Sequence, residues 1–273
     1  MNIDELKKLA EQGDTDAQYE LGRYFDNENN FDEAFRWYLL AAKQGHIKAQ
    51  YAVGDCYAIG LGVEEDWKEA YRWFLRAAEQ GYAEAQFDVA ECLATGTGVE
   101  ENHEQAMEWY RKSAEGGCPY AQVEMGIMYE EGEFVPQNLD EAEKWYALAA
   151  EQGNAQGQYN LACLYLERNS AENYDRAFEL FELAANQEVR PAFTNLGYCY
   201  EYGYGTAQNM EKAIEYYLIA ANLGEEVAAF NLGECYEFGN GVEKDMAKAL
   251  EWYRKAAERG NEDAQKKLQE LAK

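Results

Sequence analysis

Small and large apolar residues return along this chain at a fixed interval. Ala49, Ala85 and Ala121 stand 36 residues apart, as do Ala192, Ala228 and Ala264. Gly157 holds the same slot between the two series, and Ala17 opens it 32 residues before Ala49. Inside one period, Ala49, Val53 and Tyr57 fall at i, i+4 and i+8, which is a single stripe of a helix. Gly60 and Gly62 interrupt the stripe, because glycine accepts the positive φ of a tight turn. Asp66 is placed to cap a second helix, with Glu69 three residues on. Ala70, Trp73, Phe74, Ala77 and Ala78 form the second stripe, and Gly81 sits where a C-terminal glycine belongs. The pattern predicts an antiparallel helical hairpin, stacked repeatedly on itself.

The slots divide by size. Gly54 returns as Gly22, Gly126, Gly197 and Gly233, with Ala90 and Ala162 as substitutes, which predicts close helix–helix approach. Trp37, Trp73, Trp109, Trp145 and Trp252 share a slot with Leu180 and Tyr216, and are expected to fill the space between helices. The expected organisation is one array over 1–273. Seven hairpins cover 14–45, 46–81, 82–117, 118–153, 154–188, 189–224 and 225–260, between a capping half-repeat (1–13) and a capping helix (261–273). Two repeats depart from the pattern. The first lacks four residues and the Gly-x-Gly turn, and the fifth has Asn169-Ser170-Ala171 in place of glycines and Glu188 at the C-cap slot.

The consensus Ala-x-x-x-Leu-Gly-x-x-Tyr-x-x-Gly-x-Gly-Val, followed by Ala-x-x-Trp-Tyr-x-x-Ala-Ala-x-x-Gly, resembles the Sel-one-like repeat (SLR), a branch of the tetratricopeptide (TPR) superfamily, over essentially the whole chain. The resemblance implies an all-α fold, a right-handed superhelical solenoid of helix-turn-helix repeats that scaffolds protein complexes. It also implies that the first helix of each hairpin lines a concave groove.

The formal charge is −28, from 52 acidic and 24 basic residues, which argues against binding to nucleic acid or to anionic membranes. Between Ser113 and Glu167 ten carboxylates accompany one base, Lys144. The N-terminus shows no apolar signal segment and no run suits a spanning helix, so the expectation is a cytoplasmic protein. Cys56, Cys92, Cys199 and Cys235 share a slot with Met128 and Tyr24, an interchange that says packing rather than pairing.

Catalytic chemistry is poorly supplied. His46 and His103 lie 57 residues apart, and neither Ser113 nor Ser170 begins a Ser-x-x-Lys motif. Gly60-Leu-Gly62 has no strand before it and no Gly-Lys-Ser/Thr after it, so it is no phosphate loop. No cofactor and no metal site is expected, and no enzyme. Three variable slots of the first helices are the candidate contact residues. One holds Tyr19, Tyr51, Phe87, Tyr159 and Phe230, with Val123 and Thr194 between; for it, inter-helix packing is as good a reading as ligand contact. A second holds Asp88, Glu124, Asn160, Asn195 and Asn231, whose three asparagines at one-repeat spacing could hold an extended peptide backbone. A third holds Asp55, Glu91, Ile127, Tyr198 and Glu234. The resulting expectation is a monomeric scaffold that takes a partner protein or peptide with a basic or mixed basic-apolar segment. The alternative is an acidic inhibitor or immunity-type protein that masks a cationic enzyme.

Overall fold

A computed structural model of the protein describes residues 2–272. Among them lie sixteen α-helices and no strand. First helices of the hairpins are α2 (Thr15–Asn27), α4 (Ile47–Ile59), α6 (Ala83–Thr95), α8 (Pro119–Glu131), α10 (Ala155–Glu167), α12 (Arg190–Tyr202) and α14 (Glu226–Phe238). Second helices are α3 (Phe31–Lys43), α5 (Trp67–Glu79), α7 (His103–Glu115), α9 (Leu139–Glu151), α11 (Ala171–Asn186), α13 (Met210–Leu223) and α15 (Met246–Glu258). Helices α1 (Ile3–Glu11) and α16 (Glu262–Leu271) stand outside these pairs. The helices gather into two compact units, Met1–Trp145 and Tyr146–Lys273. Within the first, α1 to α8 each pack on the next helix in the chain, as do α10 to α16 within the second.

Caps recur with the period. Asp14, His46, Asn154 and Asn261 each accept from the backbone N–H three residues on, at the alanine-or-glycine slot that defines the repeat. Asn30, Asp66, Asn102, Asn138, Ser170, Asn209 and Asp245 do the same for second helices. Such caps contribute about 1 kcal/mol each. The second glycine of the turn has a stricter task than the first. A Cβ on Gly62 would lie 2.1 Å from the Phe31 carbonyl oxygen, and one on Gly98 equally close to that of Trp67. The turn therefore presses its backbone onto the start of the preceding second helix. Phe134 occupies this turn position after α8, at φ +61, and 50% of it is exposed. Asn29 and Asn169, inside hairpin turns, and Glu188, at a repeat end, likewise hold positive φ where the glycine is lacking.

The small slot and a large slot meet as expected, but the large slot is not the tryptophan one. A Cβ on Gly22, Gly54, Gly197 or Gly233 would fall 2.4–2.5 Å from the ring of Tyr38, Phe74, Tyr217 or Tyr253. These aromatic residues follow the tryptophan slot by one, and Tyr146, Phe181, Tyr217 and Tyr253 are fully buried. Trp37, Trp109, Trp145 and Trp252 are only half-buried. The chain covers several tryptophan rings with its own cations: Lys255 lies 4.0 Å above Trp252, and Arg76 and Lys112 lie 4.3 Å above Trp73 and Trp109. The buried phenols keep a polar tie. Tyr217 donates to Glu201 at 2.7 Å and Tyr253 to Glu237 at 2.6 Å, in each case the carboxylate one helical turn past the glycine.

A second polar device joins successive hairpins. Gln18, Gln50, Gln86 and Gln122 are buried. Each donates its amide to a carbonyl eight residues back, on Ala10, Ala42, Ala78 and Ala114, at 3.0–3.2 Å. Those carbonyls end the preceding helix, where each also accepts from the backbone N–H of the glycine three residues on. Ala229 stands where this glutamine would be in α14. There Arg259, one hairpin later, donates to the Ala221 carbonyl at 2.7 Å instead. Arg259→Ala is expected to cost about 1 kcal/mol in a chemical denaturation curve. Adding Ala229→Gln to that variant should recover most of the loss. An unrescued double variant would mean that the arginine acts otherwise.

Candidate functional site

In the first unit, the candidate carboxylates of α4, α6 and α8 meet across neighbouring hairpins. Burial pushes the Asp55 carboxyl up to about 7, helped by Asp88 and Asp26. Burial pushes Asp88 up to about 6, against the hydrogen bond from Tyr51 and with the help of Glu91 and Glu84. Glu124 is raised by burial, then by Glu91 and Glu131. Among the described residues no lysine or arginine contributes to the shift at any of the three, and the Tyr51 hydrogen bond to Asp88 is what opposes the like charge there. Asp88 Oδ2 is buried with no hydrogen-bond partner among the described residues. Glu91 differs, since it accepts a hydrogen bond from the Tyr110 hydroxyl. A row of half-buried acids without counter-ions costs folding free energy, which a bound cation would return.

The aromatic row packs inward. Tyr51 lies 5.6 Å from Phe74 and 5.2 Å from Tyr82, and Phe87 lies 5.9 Å from both Tyr110 and Tyr120. Tyr19 stacks on His46 at 4.7 Å. In the second unit Tyr159 packs on Phe181 at 6.0 Å and Phe230 on Tyr253 at 5.5 Å. Each of these rings backs onto the aromatic residue that fills the hairpin, and each stays half-buried. Thr194 replaces the ring in α12, and its buried hydroxyl has no partner among the described residues. Ile127 is half-buried on α8.

The asparagines of the second unit are partly engaged by their own repeat. Gln156 donates to Asn160 Oδ1 at 2.7 Å. Asn195 donates to the Tyr159 hydroxyl at 3.5 Å and to Cys163 Sγ at 3.7 Å, so its Nδ2 is fixed within the face. Asn231 and Glu234 are half-buried on α14. Glu234 is raised by burial, opposed by Lys267 and reinforced by Glu201. Cys56, Cys92, Cys199 and Cys235 are buried thiols, each pushed up to about 12, first by that burial. Among the described residues no helix is long and apolar enough to cross a membrane.

Sequence reasoning singled out Tyr198 alone of a larger cluster. Tyr198 lies 4.6 Å from Tyr202 and 5.7 Å from Tyr204, and Tyr204 stacks on Tyr174 at 4.1 Å. The signal was available: four tyrosines alternate through Tyr198-Cys-Tyr200-Glu-Tyr202-Gly-Tyr204. Asp26 and Tyr82, which border the acidic row, lie outside the three slots and carried no such signal.

Comparison with known proteins places these faces on a known architecture. The Sel1 repeat family matches residues 15–46, 47–82, 83–118, 119–154, 155–189, 194–225 and 227–261. A protective antigen present in uropathogenic Escherichia coli strains, which displays an SLR fold, is 34% identical with a TM-score of 0.81. That match covers 97% of this chain and 58% of the antigen. A Sel1 repeat protein from Oxalobacter formigenes is 30% identical with a TM-score of 0.74, over 88% of this chain and 96% of its own. In Rattus norvegicus, DAP3-binding cell death enhancer 1 is 40% identical over 63 residues, which are 22% of this chain and 12% of that protein. The all-α solenoid of SLR and TPR-like hairpins is thus the fold of this chain.

Proposed function

Because the chain belongs to the Sel1 repeat family, we propose that it is a non-enzymatic scaffold whose acidic row on α4, α6 and α8 receives a basic or mixed basic-apolar segment of a partner protein. Sel1 repeats serve in general as protein-interaction modules. The observation that carries the reading is the state of Asp55 and Asp88. Both are half-buried and crowded by like charge, with no lysine or arginine of the described residues contributing to their shifts. A lysine or arginine from a partner would supply the missing charge, and Tyr51, Phe87 and Tyr82 flank the row with apolar surface for its neighbours. The net charge of −28 favours a basic partner over nucleic acid or an anionic membrane.

A calorimetric titration with an amphipathic lysine–leucine peptide tests this. The Asp55→Asn/Asp88→Asn chain, shown folded by circular dichroism, is expected to bind about tenfold or more weakly than the wild type. The same charge would suit an inhibitor or immunity-type protein that covers a cationic enzyme with its whole surface. In that case removing two of 52 acidic residues would leave affinity nearly intact while salt abolished it. Equal affinity of variant and wild type at low salt would remove the acidic row from the account.

A further inference from the structure

The fifth repeat gives up its glycine turn, and an open cavity of about 500 Å³ lies beside the replacement. Its lining is Leu166 and Glu167 from the end of α10, Asn169, Tyr174 from α11, Asn195 and Tyr198 from α12, and Tyr204. Asn169 takes the positive φ of the turn, at +53, and accepts a hydrogen bond from the Tyr174 hydroxyl. That bond, with the Tyr174–Tyr204 stack, fixes one aromatic wall. Tyr198 forms the other, 37% exposed, and Tyr202 packs against it at 4.6 Å from outside the lining. Asn195 donates through Nδ2 to Tyr159 and Cys163, which leaves Oδ1 as an acceptor.

Among the described residues no cation covers this cluster. In the same unit the chain lays its own base over five other rings: Arg176 over Tyr165, Lys212 over Tyr200, Lys248 over Tyr236, Lys255 over Trp252 and Lys267 over Phe238, at 4.0–5.8 Å. Among the described residues none lies over Tyr174, Tyr198, Tyr202 or Tyr204. Arg168, next to Glu167 in sequence, does not line the cavity. The surroundings are negative. Glu167 is in the wall, and Glu201 and Glu234 act on Tyr202.

We propose that this cavity is an arginine subsite, in which the guanidinium of a partner protein's arginine lies against the tyrosine faces and is held by the Glu167 carboxylate and Asn195 Oδ1. A guanidinium suits it better than an ammonium, because it is planar, stacks on rings and donates in several directions at once. The volume admits the arginine together with a neighbouring side chain. The subsite goes beyond the acidic row: every residue in it belongs to the second unit, and it stands whether or not that row binds anything.

Nuclear magnetic resonance titration of the full chain with the blocked peptide acetyl-Gly-Ala-Arg-Leu-Gly-amide tests the subsite locally. The Asn195 side-chain amide is expected to shift saturably. The citrulline counterpart, equal in shape but uncharged, should bind about tenfold more weakly or worse. Tyr198→Ala and Glu167→Gln, both at exposed positions, should each weaken the arginine peptide several-fold, while Tyr198→Phe retains it. The Asp55→Asn/Asp88→Asn chain should bind it at this site like the wild type, so failure of the acidic row and failure of the subsite read out separately. Equal binding of the citrulline peptide, wild-type affinity in a folded Tyr198→Ala chain, or no saturable shift at Asn195 would each overturn the proposal.

Discussion

Tyr217→Ala is expected to destabilise the second unit by about 3–5 kcal/mol, among the larger effects a single side chain can have. The ring is fully buried against Gly197, where even a methyl group would stand 2.5 Å from it, so α12 and α13 meet around this one side chain. Truncation leaves a ring-sized void between two helices held apart by their neighbours, and strips the Glu201 carboxylate of its 2.7 Å donor. At roughly 2–4 °C per kcal/mol for a chain of this size, the thermal midpoint should fall by about 6–20 °C. Tyr217→Phe separates the two contributions. It keeps the ring and deletes only a hydrogen bond to a carboxylate, for about 1–3 kcal/mol. If the phenylalanine variant lost as much as the alanine variant, the hydroxyl and not the packing would be the fastener, and the account of the small slot given above would be wrong.

Asp55→Asn/Asp88→Asn is expected to act in the opposite direction. Both carboxyls bind their protons more tightly in the folded chain than in the unfolded one, where they titrate near pH 4. Below about pH 4 both states are protonated and the groups cost nothing. As pH rises the unfolded chain releases its protons first, and stability is lost until the folded groups also ionise, at about 6 for Asp88 and about 7 for Asp55. The shifts correspond to at most about 4 kcal/mol for Asp55 and about 3 kcal/mol for Asp88. Asp88 is itself one cause of the Asp55 shift, so the pair together is worth less than the sum, roughly 2–4 kcal/mol. The double variant should therefore melt about 4–15 °C above the wild type near pH 8 and about half as far above it near pH 5. A gain of the same size at both values would trace to something other than ionisation. Under the proposed function, two destabilising carboxylates kept at one face exchange stability for binding.

Much of this was legible in the chain and some was not, for identifiable reasons. The period, the hairpin and the caps at Asp66 and Gly81 were all readable, because each depends on residues close in sequence. The choice between Trp252 and Tyr253 as the inward filler was not. Adjacent apolar residues both lie on a helical stripe, and only the approach of Gly233 from the partner helix decides that the ring of Tyr253 goes inside. Gln50 carried no signal of its own: its amide is buried because the neighbouring helix ends beside it, where it shares the Ala42 carbonyl with the Gly45 N–H. The charge total announced an acidic molecule, but that Asp55 and Asp88 crowd each other follows from the spacing between hairpins, which no single repeat encodes. The tyrosine cavity lay further still from view, since it is the by-product of one irregular turn at Asn169.

The arginine that stands in for a glutamine limits how such an array can change its length. A hairpin that brings its own glutamine carries the donor on its first helix, so duplication or loss of the hairpin takes the donor with it. The hairpin of α14 and α15 carries its donor at the far end instead: Arg259 closes α15 and reaches back to the Ala221 carbonyl at the end of α13. A break between α14 and α15 would leave that carbonyl with the Gly224 N–H alone. The two helices of this hairpin therefore have to move as one, whereas in the glutamine-bearing hairpins the first helix alone holds the link.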